Sequence, residues 1–363
     1  MSYCKECDKH WNYPVEKCIF CGNATSQLSS KKNQIIGYTK VSISSAGNEK
    51  VPYFVYLLED ENRIKSFKKS YEKYEIGDMI DSKEAQKSKL KVGIVGTGLM
   101  GSQITEYLIL QGYETILKTR EERNKDLILS KIKKRVSKDL NEIEIFNCLQ
   151  FLQITADYLD LSNCDIVIDA SAENIDIKKE VFKKLSSICG SNTILATNSS
   201  SISIDKIAAA TSAPENCIGI HFFNPVKKMD LIEIVIGKKT SGETKERICE
   251  FIKDLGKIPI FVKNSPGFIV NRLLLPQINE AVRLVEAEIA SKEDIDTAVK
   301  LGLNHPMGPF ELADFIGLDT CVSILEILSE DLQNENLKPA GLLYEMIKQG
   351  KLGYKSKEGF YKY

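Results

Sequence analysis

The chain of 363 residues carries 49 Lys and Arg against 50 Asp and Glu, a formal net charge of −1. A balance this close creates no overall field toward nucleic acid or an anionic membrane. No apolar run approaches the roughly 20 residues that cross a bilayer, and the polar, cysteine-bearing start Met1–His10 is not a secretory signal. The expectation is a soluble, cytoplasmic protein of two or three domains, each with its own core.

The chain opens with Cys4-x-x-Cys7 and, after a short ribbon, Cys18-x-x-Cys21-Gly22. Paired CxxC turns present four thiolates tetrahedrally, the closed set of a structural Zn2+ site with no open position for a catalytic water. Residues 1–28 therefore read as a zinc ribbon in which His10 and Trp11 serve packing. The remaining cysteines, Cys148, Cys164, Cys189, Cys217, Cys249 and Cys321, are scattered through apolar or helical surroundings and read as reduced thiols. Short alternating runs follow at Ile35–Val41, Tyr53–Leu58 and Tyr74–Ile80, separated by turn-rich segments, and predict a small OB-like β-barrel over 29–84. Ribbon and barrel together resemble the two-part module of acyl-CoA-associated proteins, a rubredoxin-like ribbon joined to an OB-fold. That resemblance implies acyl-CoA contact or docking of a pathway partner. Tyr53, Phe54, Tyr56 and Lys65, Lys68, Lys69 also suit a single-stranded nucleic-acid groove, but interleaved acidic residues argue against it. The polar stretch Asp81–Lys89 supplies the linker, with its boundary at 85–90.

Next comes Lys91–Gly101, KVGIVGTGLMG: an apolar run, then Gly96-x-Gly98-x-x-Gly101, with Leu99 and Met100 opening a helical pattern. Strand, glycine turn and helix start in that order are the context a dinucleotide fingerprint needs. Gly96 permits the turn, Gly98 lets amides approach a pyrophosphate, and Gly101 allows helix to pack on strand. Strand patterns recur at Glu114–Lys118, Leu149–Thr155, Asp165–Ala170, Thr193–Asn198, Cys217–Phe223, Leu231–Ile236 and Lys257–Val262. Helical spacing lies between them at Asp176–Ser187 and Glu243–Leu255, so 91–265 reads as an α/β, doubly wound, Rossmann-type domain. Glu121–Asn147 is a charged helical excursion from it, over the substrate. From Pro266 the strand pattern ends. A long helix containing Pro276, then Ser291-Lys292-Glu293-Asp294 as a cap, predict an all-α domain over 266–363.

Hydride transfer to or from a bound dinucleotide is accompanied by a proton transfer, which needs an acid–base group. Histidine suits both directions because its ordinary pKa is near neutral. His221 ends an apolar strand, where doubly wound sheets place their sites, and Glu233 on the next strand can return to orient the imidazole. Around this pair stand Asn198-Ser199-Ser200-Ser201, His221-Phe222-Phe223-Asn224-Pro225, Pro266-Gly267-Phe268-Ile269-Val270-Asn271-Arg272, His305-Pro306-Met307-Gly308-Pro309 and the ending Lys351-Leu352-Gly353-Tyr354-Lys355. In that order they resemble the short-chain L-3-hydroxyacyl-CoA dehydrogenases, above all the 3-hydroxybutyryl-CoA dehydrogenases, over about residues 90–363.

The resemblance implies that Ser200 and Asn271 hold the substrate oxygen and that Asn198, Glu173 and Lys178 contact the cofactor. Ser200 also suits a helix cap for Ile202 onward, and Glu173 with Lys178 an ordinary charged helix face. The resemblance further implies a homodimer, with Leu273–Leu275 and Leu301–Phe315 supplying apolar surface, and a short 3-oxoacyl-CoA or 3-hydroxyacyl-CoA substrate. One position departs from the pattern: Thr119, followed by Arg120, stands where the family has the aspartate that binds the adenosine ribose. Hydroxyl plus guanidinium attract a 2′-phosphate that a carboxylate repels, which predicts NADP(H) over NAD(H). Two alternatives remain open here. Gly98-Leu99-Met100-Gly101 also resembles dehydrogenases of free 3-hydroxyacids, which use a catalytic lysine, and the amino-terminal module suits a docking subunit.

Overall fold

The computed structural model describes residues 2–4, 9–11, 26–27, 32–41, 53–60, 65–70, 73–81, 90–138 and 140–363. Two compact units divide the chain, Met1–Lys89 and Leu90–Tyr363.

In the first unit, β1 (Ser2–Cys4), β2 (Lys9–Trp11) and β3 (Ser26–Gln27) form an antiparallel sheet of order β2-β1-β3. Cys7, Cys18, Cys21 and the side chain of Cys4 lie outside the described residues, and with them the expected zinc site. A second antiparallel sheet, order β6-β5-β4-β7, comprises β4 (Lys32–Val41), β5 (Tyr53–Asp60), β6 (Lys65–Ser70) and β7 (Met79–Asp81). The described strands are a sheet without a β6–β7 pair, so barrel closure is not among their features. Alternation sends Ile35, Phe54, Tyr56 and Leu58 to one buried face. Phe54 and Tyr56 are therefore core residues and do not offer their rings to a nucleic-acid groove.

The second unit is built on an eight-stranded sheet of order β10-β9-β8-β11-β12-β13-β14-β15. Its strands are β8 (Val92–Val95), β9 (Thr115–Lys118), β10 (Leu152–Thr155), β11 (Ile166–Asp169), β12 (Ile194–Thr197), β13 (Cys217–Phe222), β14 (Leu231–Ile236) and β15 (Ile258–Lys263). The first six run parallel; β8, β9, β11, β12 and β13 are buried throughout because helices cover both faces, while edge strand β10 is buried only at Thr155. On one face lie α1 (Leu99–Leu110), α2 (Lys125–Val136), α3 (Glu142–Leu149) and α6 (Gly242–Asp254); on the other lie α4 (Ile175–Ile188) and α5 (Ile204–Ala208). β14 breaks the rule and runs antiparallel to β13. Its connection, residues 223–230, is too short for a crossover helix, which takes a dozen residues or more.

Two boundaries differ from the pattern in the sequence. The charged excursion is not one helix: α2 stops at Val136, and Asn141 starts α3 by a reciprocal box, accepting from the Glu144 amide at 3.0 Å while its own amide donates to Glu144 at 2.9 Å. Leu149, expected in a strand, is the last residue of α3; the apolar run there serves a helix face first and a strand only from Leu152. Carboxyl-terminal to the sheet, α7 (Val270–Glu286, with Pro276 inside), α8 (Lys292–Gly302), α9 (Pro309–Ile316), α10 (Leu318–Asp331) and α11 (Gly341–Lys348) enclose a separate core. Ser291 caps α8, accepting from the Asp294 amide at 3.1 Å. Within the segments expected to form a dimer face, Leu275, Phe310 and Ala313 are instead buried in this core, while Leu273, Leu301, Leu303 and Phe315 are exposed.

Candidate active site

Three glycines after β8 do three different jobs. Gly96 has φ +112°, and a Cβ there would meet the Ala170 carbonyl oxygen at 2.6 Å. A Cβ at Gly101 would lie 2.0 Å from the Gly96 oxygen, so α1 can approach the turn only without one. Gly98, the N-cap of α1, has nothing within 4 Å of where its Cβ would be. Nothing in the protein requires glycine there; open space in front of free helix amides is what a pyrophosphate needs. The donor set and the open cradle fit a dinucleotide, with Leu99 and Met100 contributing the first helical amides.

His221, near the carboxyl end of β13, stands directly opposite Glu233 on β14 in the antiparallel ladder. Glu233 Oε2 lies 2.7 Å from His221 Nδ1, and both side chains are buried. The other carboxylate oxygen, Oε1, accepts from the amides of Ile269 and Val270 at 3.0 Å each, at the amino end of α7. Burial pushes the Glu233 carboxyl up, but the His221 bond, the two amides and the imidazole charge pull it further down. It ends below the ordinary carboxylate range. With Nδ1 committed to a carboxylate, Nε2 is the ring nitrogen left for proton transfer. Phe223 and Phe268, with ring centroids 4.5 and 5.6 Å from the imidazole, wall it in.

A second carboxylate organises the serine turn after β12. Glu173 Oε1 accepts from the hydroxyl of Ser199 at 2.6 Å and the amide of Ser200 at 2.9 Å, and from the amide and hydroxyl of Ser201 at 3.2 and 3.1 Å. Behind it, Lys178 is 1% exposed, with Nζ 3.0 Å from Asp169 Oδ2 and 3.5 Å from Glu173 Oε2. The charged-helix-face reading of this pair fails: Lys178 points inward and holds Glu173. Burial raises the Glu173 carboxyl, and the Lys178 ammonium with the serine donors outweighs it, leaving the group below its ordinary range. The cap reading of Ser200 also fails, because Ser199 Oγ takes the Ile202 amide at 2.9 Å and Ser203 is the N-cap of α5. Asn271, on α7, donates to the Ser200 carbonyl at 3.3 Å, and Asn198 Oδ1 accepts the Phe222 amide at 3.0 Å, beside His221. Ser200, Asn271, Asn198, His221 and Glu233 are thus joined through short links between β12, β13, β14 and α7.

At the end of β9, Thr119 is buried and Arg120 exposed. The Lys118 carbonyl accepts from the Gly96 amide at 3.2 Å, and the Lys118 ammonium lies 4.1 Å from the centroid of the Tyr158 ring. Burial, then the nearby Lys184 charge, hold that ammonium below its usual pKa, with Asp157 opposing and Arg120 adding to the effect. A cleft of about 250 Å³ opens between the glycine turn and α2, lined by Thr97, Ser102, Asn124, Leu127, Lys131 and Arg135 among others.

Residues 91–265 match the family described as 3-hydroxyacyl-CoA dehydrogenase, NAD binding domain, and residues 267–363 match its C-terminal domain. The chain belongs to the 3-hydroxyacyl-CoA dehydrogenase family. It is 42% identical over 279 residues to a 3-hydroxybutyryl-CoA dehydrogenase of Clostridioides difficile, a match covering 76% of this chain and 99% of that one. It is 40% identical over 288 residues to the mitochondrial hydroxyacyl-coenzyme A dehydrogenase of Sus scrofa, covering 75% and 90%. The crystal structure of (S)-3-hydroxybutyryl-CoA dehydrogenase from Ralstonia eutropha superposes with a TM-score of 0.72 at 41% identity, covering 76% of this chain and 99% of that one.

This member of the 3-hydroxyacyl-CoA dehydrogenase family is an oxidoreductase with an NAD-binding Rossmann-type domain and a helical carboxyl-terminal domain. Sequence reasoning missed Asp169, the fully buried partner of Lys178. A carboxylate ending an apolar strand, as in Ile166-Val167-Ile168-Asp169, was the signal available. It also missed the Ile269 and Val270 amides on Glu233, which no side-chain pattern announces.

Proposed function

We propose that this chain catalyses reversible hydride transfer between NADP(H) and a short 3-oxoacyl-CoA, acetoacetyl-CoA being the leading candidate, to give the L-3-hydroxyacyl-CoA. The observation that carries the mechanism is the 2.7 Å bond between His221 Nδ1 and Glu233. A buried carboxylate there favours the Nδ1–H tautomer and stabilises the imidazolium. In the oxidising direction Nε2 takes the hydroxyl proton; in reduction the imidazolium returns it to the carbonyl oxygen. The bound nicotinamide supplies or accepts the hydride. Ser200 and Asn271 donate to the oxygen as it gains charge. Asn198 and Glu173 flank the nicotinamide end, with Lys178 and Asp169 holding Glu173, while Gly96, Gly98, Gly101 and the first turn of α1 take the pyrophosphate.

The preference for NADP(H) rests on Thr119 and Arg120, where no carboxylate opposes a 2′-phosphate. Lys118 and Arg120 flank Thr119 at the end of β9, and Asp157 offsets part of the Lys118 charge. In the remaining parts of the proposal, Cys4, Cys7, Cys18 and Cys21 hold structural Zn2+, and the amino-terminal module docks a partner of the same acyl-CoA chemistry. The exposed Leu273, Leu301, Leu303 and Phe315 form the homodimer face. Among the described residues no helix is long and apolar enough to cross a membrane, in keeping with a cytoplasmic enzyme. The test is steady-state turnover of acetoacetyl-CoA with each reduced nicotinamide. A kcat/KM for NADH at or above that for NADPH refutes the cofactor assignment, and unaffected turnover in His221→Ala refutes the histidine mechanism.

A further inference from the structure

We propose that Gln103 is a positioning residue for the acid–base pair, tying the dinucleotide helix α1 to the connection that sets His221 against Glu233. This rests on the reading of His221 and Glu233 as the catalytic pair. The two side chains meet only because β13 and β14 are in one register, His221 opposite Glu233 and Phe222 opposite Ile232. A slip of one residue would turn Glu233 to the other face of the sheet. Tight hairpins of about two to five residues impose register by their own turn geometry; the 223–230 connection is longer and needs an external clamp.

Gln103 supplies one with both halves of its amide. Its Nε2 donates to Asn224 Oδ1 at 2.8 Å, and its Oε1 accepts from the Val226 amide at 2.8 Å. One turn further along α1, the Tyr107 hydroxyl donates to the Leu255 carbonyl at 2.7 Å, and its ring lies under the Lys257 ammonium at 4.4 Å. That lysine, 5% exposed, donates to the Lys227 carbonyl at 3.5 Å and stands 3.9 Å from Asp230. Gln103 therefore grips the connection directly at Asn224 and Val226, and Tyr107 reaches Lys227 and Asp230 only through Lys257. Gln103 is the grip nearest His221, and it sits on the helix whose first amides face the pyrophosphate. The inference is that α1 holds the cofactor and the base in one frame, so loss of Gln103 misaligns the imidazole rather than emptying the cofactor site.

The experiment compares Gln103→Leu and Gln103→Glu in the full chain with acetoacetyl-CoA and whichever reduced nicotinamide the wild type turns over faster. Leucine keeps the bulk and removes both bonds. Glutamate keeps the acceptor for Val226 and meets Asn224 once that amide turns over. The expected result is a fall in kcat of about tenfold or more for Gln103→Leu with cofactor KM changed less than about twofold. At saturating cofactor, Gln103→Glu recovers kcat to within about threefold of wild type. A Gln103→Leu enzyme with wild-type kcat overturns the proposal, as does a Gln103→Glu enzyme as impaired as the leucine variant, or a loss confined to KM. Should Gln103→Leu not fold, Asn224→Ala removes the side-chain half of the link alone. It is expected to lower kcat with cofactor KM held, and unchanged kcat overturns the proposal. His221→Ala, run in parallel, separates this result from failure of the catalytic reading: if it is fully active, that reading is lost whatever Gln103 does.

Discussion

Glu233→Gln is the sharpest test of the chemistry because it preserves shape and removes only charge. The wild-type carboxylate is 1% exposed, holds His221 Nδ1 at 2.7 Å, and takes two amides at 3.0 Å. A glutamine amide satisfies the Ile269 and Val270 donors with its carbonyl, which leaves its NH2 facing Nδ1. The imidazole must then accept there and carry its proton on Nε2, the wrong tautomer for a base, and the imidazolium faces a donor. Losing a hydrogen bond to a charged group is worth about 1.5–3 kcal/mol, or roughly 10- to 150-fold. The tautomer reversal adds to it; in Ser-His-Asp enzymes the equivalent change costs about 10⁴. The expected fall in kcat is therefore about 10²- to 10⁴-fold, with a melting temperature close to wild type because the amides at α7 stay paired. Glu233→Ala, which leaves those amides without a partner in a buried site, should lose about 1–3 kcal/mol of stability per unsatisfied group as well. Turnover followed by reduced-nicotinamide absorbance, with thermal melts of all three proteins, reads both effects. Glu233→Gln turnover within about threefold of wild type would refute the reasoning.

Thr119→Asp should move the ratio of kcat/KM values toward NADH by about tenfold or more, since a carboxylate repels a 2′-phosphate and binds a 2′-hydroxyl; an unchanged ratio assigns the preference elsewhere. Gly98→Ala should fold and melt like wild type, because its Cβ meets nothing within 4 Å, yet raise cofactor KM about tenfold or more by filling the pyrophosphate space. Gly101→Ala, clashing at 2.0 Å with the Gly96 oxygen, should destabilise the fold itself; calorimetry beside cofactor titration distinguishes the two. The depressed carboxyls of Glu233 and Glu173 also set an acid limit. Their folded pKa values lie below the unfolded value of about 4.3, so their contribution to stability is full above that pH and is lost as pH falls through the folded values. Denaturant midpoints measured between neutral and acid pH should fall in that window, and less steeply in Glu233→Gln.

Much of this was written in local pattern. The run before Gly96, the strand ending in His221 and the return to Glu233 are short-range signals, because a parallel sheet buried on both faces demands continuous apolar strands. What escaped was long-range. Lys178 looks like one cation among several on a helix, and only the fold carries it to Asp169. Leu149 belongs to an apolar run that two elements share, and periodicity cannot divide such a run between a helix end and a strand start. Gln103 carries no motif at all; its meaning comes from Asn224 and Val226, which lie far along the chain.

Glu233 belongs to two structures at once. One oxygen steadies the proton carrier in the sheet, while the other fastens the first turn of α7, where the helical half of the unit begins. A single side chain thus fastens sheet to helix, so a change at Glu233 reaches the imidazole and the start of α7 together.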